Sequence, residues 1–185
     1  MREDDLAARC RSGDIDAFSE AYALFERQVF RHAYYLLGNA EDADDAKQDT
    51  FLRAYRGMPG FRGQSSLQSW LLRICGNLCA DRLRQQARRA EILCDPQALD
   101  QDDLHPPVHP ADAVCHADTA DRVMRVLMAM PVPQRRLVVL HLLEDRGCAE
   151  VAEILGSSVG ATRMRLVRAM RMFRARARAA LQDLE

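Results

Sequence analysis

The densest chemistry in the sequence lies toward its end, where seven arginines and no acid fall between Arg163 and Arg178. At helical spacing Gly160, Arg163, Met164, Val167, Arg168 and Arg171 share an outward face, and Val159, Thr162, Leu166, Met170 and Phe173 an inward one. Guanidinium groups at that density suit duplex phosphates and guanine edges in a major groove. A merely solvated helix would interleave acids for salt bridges, and this one has none. Just upstream, Cys148 to Leu155 reads as a short helix with Val151, Ala152 and Leu155 inward. Gly156-Ser157 then makes a tight turn, and Ser158 is placed to cap the helix from Val159. The arrangement is a helix-turn-helix.

A second set of reactive side chains, Cys94, His105, His109, Cys115 and His116, gathers within 23 residues. Thiolate and imidazole together could hold Zn²⁺ or copper. The spacing matches no standard zinc knuckle, and Pro96, Pro106, Pro107 and Pro110 mark a loose tether. The expectation is no metal and no cofactor. No P-loop, dinucleotide-binding glycine fingerprint, nucleophile elbow or HExxH occurs, which argues against an enzyme.

The elements that must position these groups read as helix nearly throughout. From Asp14, the residues Phe18, Tyr22, Phe25, Val29, Ala33 and Leu36 form one apolar stripe that Gly38-Asn39 ends. Ala43, Ala46, Thr50 and Ala54 share a face of an acidic helix from Ala40 to Arg56. Gly57, Pro59, Gly60 and Gly63 demand a loop. Ser66 then caps a helix with Leu67, Trp70, Leu71, Ile74 and Leu78 inward, which ends in basic residues including Arg82, Arg84, Arg88 and Arg89. Helix resumes near Thr119 with Val123, Val126, Leu127 and Met130, breaks at Pro131-Val132-Pro133, and continues from Gln134 to Glu144. No alternating strand pattern interrupts this. The expected fold is all-α: two helical domains, 1–90 and 119–185, joined by a flexible acidic linker at 91–118.

Composition agrees with that division. The chain has 185 residues, 48% of them hydrophobic and 29% charged, enough for a real core. Its net charge of −1 is an average over opposites, since eight acids and no Lys or Arg lie between Glu91 and Asp121. No apolar run approaches a membrane span, and Met1-Arg2-Glu3-Asp4-Asp5 opens no signal peptide. The six cysteines, at positions 10, 75, 79, 94, 115 and 148, include no CxxC pair and read as reduced cytoplasmic thiols. Arginine outnumbers lysine 25 to one, a bias of genome composition more than of function.

Two stretches carry a family resemblance. The first, AEDADDAKQDTFLRAYRGMPGFRGQSSLQSWLLRICGNLCADRLRQQARR from Ala40 to Arg89, resembles the second region of bacterial sigma factors of the extracytoplasmic-function group. The second, MPVPQRRLVVLHLLEDRGCAEVAEILGSSVGATRMRLVRAM from Met130 to Met170, resembles their fourth region. The resemblance implies a promoter-specificity subunit that binds core RNA polymerase and both melted −10 and duplex −35 promoter DNA. It implies an anti-sigma partner as well, and no membrane contact by this chain itself.

By the same resemblance, Asp45, Gln48 and Asp49 would dock on the clamp helices of the polymerase largest subunit. An acidic, hydrogen-bonding face suits a basic partner. The loop holding Phe61, Arg62, Gln64 and Ser65 matches the place where the family captures an unstacked −10 base. Asn77, Asp81, Arg82 and Arg84 match the helix that tracks the non-template strand. Trp70 shares the inward stripe and reads as core. Ser158, Gly160, Arg163, Met164, Val167, Arg168 and Arg171 would meet the −35 element. Gly147 stands where the family usually has a Ser or Thr cap, and Met164 cannot donate a conventional hydrogen bond to a base. The alternative is a helix-turn-helix regulator of duplex DNA that never docks on polymerase.

Overall fold

Capping chemistry sets the helix boundaries of the first half. The computed structural model describes residues 3–93 and 117–182. Helix α1 spans Glu3–Arg11, and α2 spans Ile15–Leu37. Asp14 caps α2 by accepting the Ala17 N–H, and Gly38 ends it with φ +78°. Asn39 caps α3, Ala40–Gly57, by accepting the N–H groups of Glu41 and Asp42. A short 3-10 turn at Met58–Gly60 leads into the loop before α4, Leu67–Leu93. There the Ser66 hydroxyl accepts the Ser69 N–H at 3.0 Å.

The predicted stripe on α2 is correct for Phe25, Val29, Ala33 and Leu36, while Phe18 and Tyr22 are only partly buried. Ala17, Ala21 and His32 join the buried set. On α4 the buried face is broader than the stripe expected: Leu67, Leu71 and Leu78 are buried, but so are Leu72, Cys75 and Cys79. Trp70 and Ile74 sit half-buried at its edge. The reason is that α4 is packed by α2 and α3 on one side and by the second half of the chain on another. A helix enclosed that way buries more than one stripe.

The second half consists of α5 (Ala117–Met128), α6 (Val132–Val138), α7 (Cys148–Leu155) and α8 (Val159–Gln182). The helix expected from Gln134 to Glu144 changes pitch: α6 runs into a π-helical turn at Val139–Leu143. No strand occurs among the described residues, and no helix there is long and apolar enough to cross a membrane. The connector's Cys and His cluster lies outside the described residues.

The two halves touch, which no local pattern in either half foretells. Glu144, whose side chain is wholly buried, accepts from Gln28 Nε2 and Arg31 Nη2, each at 2.9 Å. Arg135 donates to the Leu36 carbonyl and, at 2.9 and 3.1 Å, to those of Met128 and Met130. Burial lowers the pKa of Arg135 from its ordinary value.

His32 lies on α2, fully buried, with no hydrogen-bond partner for either ring nitrogen. Burial, then the charges of Arg136, Arg31 and Arg146, pushes its pKa down to about 3. The ring is therefore neutral when folded and takes up a proton on unfolding below its ordinary pKa near 6.5. This contribution to stability is complete above about pH 6.5 and is lost as pH falls toward 3. Between pH 7.5 and 5.5 the loss from this ring should be about 1.4 kcal/mol, read from urea-unfolding midpoints. His32→Leu should flatten that limb, and an unchanged slope in the variant would refute the assignment.

Candidate nucleic-acid interface

The helix-turn-helix is built much as its sequence suggests. Val151, Ala152 and Ile154 anchor α7, with Leu155 partly buried. Gly156 turns the chain at φ +62°, and the Ser158 hydroxyl accepts the Ala161 N–H at 3.3 Å. Inside α8, Thr162, Leu166 and Ala169 are buried, whereas Val159, expected inward, is 45% exposed at the helix start. Gly160, Arg163, Met164, Val167, Arg168 and Arg171 all face solvent, in the arrangement expected of a groove-reading helix. At the start of α7, Gly147 offers no side-chain cap. Instead the Glu150 carboxylate accepts the Gly147 N–H and the Arg146 guanidinium, both at 2.9 Å. Those two contacts, Gly147 first, hold its pKa below the usual carboxylate range.

In the first half, Gly60, Phe61, Arg62, Gln64, Ser65, Trp70 and Arg73 line an open cleft of about 290 Å³. Arg62 and Gln64 are exposed at its rim. Phe61 is only 6% exposed and packs on Trp70 with ring centroids 4.8 Å apart. It therefore forms the cleft's floor, and its ring is not free to stack as a bare platform. Arg73 lines the same cleft, yet no feature of the sequence singles it out.

On α3, Asp45 and Gln48 are exposed and Asp49 is partly so. Gln48 is tied to Asp44 at 2.7 Å. Lys47 pairs with Asp44 and lies 5.8 Å from the centroid of the Phe30 ring. The sequence assigned Asp49 and Arg82 to separate tasks, but the fold joins them. Arg82 Nη2 reaches Asp49 at 2.7 Å, and its other amino group donates to the Asp42 carbonyl at 3.2 Å. Asp45 is 4.0 Å from the same guanidinium. Arg82 is thus a strut from α4 to α3. Arg84 pairs with Asp81 on the same turn of α4, while Asn77 accepts from Arg136 at 3.2 Å.

Comparison with known proteins decides the family. Residues 21–89 match the family model of sigma-70 region 2, and residues 120–173 that of sigma-70 region 4. The ECF RNA polymerase sigma factor SigM of Mycobacterium tuberculosis is 37% identical over 166 residues, covering 89% of this chain and 79% of SigM. The chain belongs to the ECF RNA polymerase sigma factors. Among solved structures, CnrH in complex with the cytosolic domain of CnrY aligns with a TM-score of 0.67 and 27% identity, over 96% of each chain. The sigma factor RpoE of Bartonella quintana, in complex with the anti-sigma factor NepR, has a similar fold at 22% identity. Its TM-score is 0.68, over 89% of this chain and 96% of that one.

In this sigma factor α2 to α4 belong to region 2 and α5 to α8 to region 4, and the helix-turn-helix is α7 and α8. Its turn depends on one backbone conformation. Nothing lies within 4 Å of a Cβ placed on Gly156, so a side chain there meets no steric obstacle. The cost of Gly156→Ala is the left-handed φ alone, about 1 kcal/mol in urea unfolding. Gly156→Asn should cost much less, because Asn tolerates that region. Equal losses in both variants would show that the turn is limited by packing.

Proposed function

We propose that region 2 of this sigma factor, taken as 1–90, binds core RNA polymerase and the melted −10 element. Region 4, taken as 119–185, reads the duplex −35 element, and 91–118 serves as the linker. The chain catalyses no reaction itself and works in the cytoplasm. Asp45, Gln48 and Asp49 form the polymerase-docking face. Phe61, Arg62, Gln64 and Ser65 shape a cleft for an unstacked −10 base, with Asn77, Asp81, Arg82 and Arg84 along the strand beyond it. Ser158, Gly160, Arg163, Met164, Val167, Arg168 and Arg171 face the −35 groove. An anti-sigma factor masks these surfaces, a reading supported by the partners of CnrH and RpoE.

The observation that carries this reading is the exposed acidic face on α3, held on the same chain as the arginine face of α8. A regulator acting on duplex DNA alone has no use for it. Replacing both Asp45 and Asp49 by Ala should abolish native co-elution with core polymerase and leave helicity by circular dichroism unchanged. Full retention of polymerase would remove the docking face. Arg163→Ala and Arg168→Ala should each weaken −35 duplex binding by the full chain. A lost phosphate contact lowers the log–log salt slope by about one, and a lost base contact costs roughly 1–3 kcal/mol at one position. Unchanged affinity in both would remove the recognition-helix assignment.

A further inference from the structure

Helix α1 lies ahead of the residues that match region 2, yet it packs on the elements that form the −10 cleft. Leu6, Ala7 and Cys10 bury its inner face against α2, α4 and the 3-10 turn at Met58–Gly60. Its Glu3 carboxylate accepts the Gln68 N–H at the start of α4, at 2.9 Å. The two arginines of its last turn go separate ways. Arg9 is committed to the fold, pairing with Asp14 at 2.9 Å and Glu20 at 3.2 Å. Arg11 is exposed, and among the described residues no carboxylate pairs with it. Its guanidinium lies instead on the cleft loop: a Cβ placed on Gly63 would stand 3.5 Å from Arg11 Nη1. Gly63 is flanked by Arg62 and Gln64, both of which line the cleft, whereas Arg11 does not.

A cation standing outside the cleft cannot read a base inside it. It is placed for what a flipped nucleotide leaves at the rim, its sugar and phosphate. The surroundings favour an anion there, since no Asp or Glu occurs between Thr50 and Ala80 while four arginines do. Of the arginines that line the cleft, Arg73 is engaged through Nη2 with the Glu153 carbonyl at 2.8 Å. Complementing the α1 dipole would account for a basic last turn, and Arg9 already does so. It gives no reason for a second guanidinium to lie against a loop.

We propose that Arg11 binds the phosphate flanking the unstacked −10 base, so that α1 and the cleft loop hold one nucleotide between them. The proposal rests on the −10 reading above. Arginine suits the task because its planar fork can give two N–H donors to one phosphate. The contact carries no sequence information and fixes where along the strand the cleft engages.

The test uses the full chain assembled with core polymerase. The probe is a fluorescent single strand of about 12 nucleotides that the wild-type holoenzyme enriches from a random pool. Arg11→Ala should weaken strand binding roughly threefold to tenfold near 0.1 M salt. It should also lower the log–log salt slope by about 0.7, the value for one phosphate of a single strand. Arg11→Lys should keep the wild-type slope. Each phosphate is then replaced in turn by an uncharged methylphosphonate. One position should cost the wild type as much as Arg11→Ala does, and cost that variant nothing more. Helicity and the urea midpoint should not move. Unchanged affinity and slope in Arg11→Ala would overturn the proposal. So would a loss that Arg11→Lys shares in full and no methylphosphonate reproduces, which would make Arg11 a prop for the loop. Failure of Arg11→Ala to co-elute with core polymerase would place the residue on the docking surface and overturn it as well. Gln64→Ala, run alongside, tests the reading beneath. If it binds the strand as the wild type does, the cleft is not the base site and the proposal falls with that reading. If it loses binding while Arg11→Ala does not, the proposal falls alone.

Discussion

The packing of α2 against α3 is the constraint on which the other contacts depend. Ala17, Ala21 and Ala33 of α2, and Ala43, Ala46 and Ala54 of α3, have essentially no exposed surface. Alanine at these positions lets the helix backbones draw together, and larger residues there would overpack by roughly 1–3 kcal/mol each. The seam is closed at one end by aromatic rings, Phe18 edge-on to Tyr55 at 5.1 Å and Tyr22 tilted on Phe51 at 4.6 Å. With α3 fixed against α2, its acids can point only away from the core. Between them the two helices also form the bed for α4, and α4 in turn supports both the base-sized cleft and the seat of region 4.

Charge follows the same geometry. The acids of α3 and the arginines of α8 lie on different elements, so the near-zero net charge hides two surfaces of opposite sign. Arg82 crosses this division within region 2. By spanning from α4 to Asp49 and to the α3 backbone, it couples the orientation of the acidic face to the helix that leads from the cleft. A half-exposed ion pair of this kind adds little stability, and its effect is chiefly on side-chain direction.

Much of the fold was legible because periodicity and caps are local. Asp14, Gly38, Asn39, Ser66 and Gly156 punctuate the helices where their chemistry predicts. The buried and exposed faces of α8 were legible for the same reason, save Val159, which lies too near the helix start to be covered. What could not be read was whatever depends on residues far apart in sequence. Cys75 and Cys79 turn inward because α4 is enclosed on several sides, and Arg73, Gly76 and Arg136 acquire meaning only when region 4 lies on α4. A mid-helix glycine had one visible cue, its poor helix propensity. Nothing in the sequence pointed to an arginine 60 residues onward as the occupant of that space. The burial of Phe61 against Trp70 was not legible either, although an aromatic residue beside another is covered more readily than it is left bare.

The pairing of Lys47 with Asp44 has a practical consequence. Lys47 is the sole lysine of this sequence, and its side chain is 15% exposed in the middle of α3. A lysine-specific protease therefore has one place to cut, and a folded helix does not fit an extended-chain active site. Cleavage at Lys47 then waits on the opening of region 2. Where cutting is slow relative to reclosing, its rate reports the opening free energy of that one region within the intact chain. The arginine bias of the composition has left the protein with a single built-in reporter, on the helix that carries its acidic face.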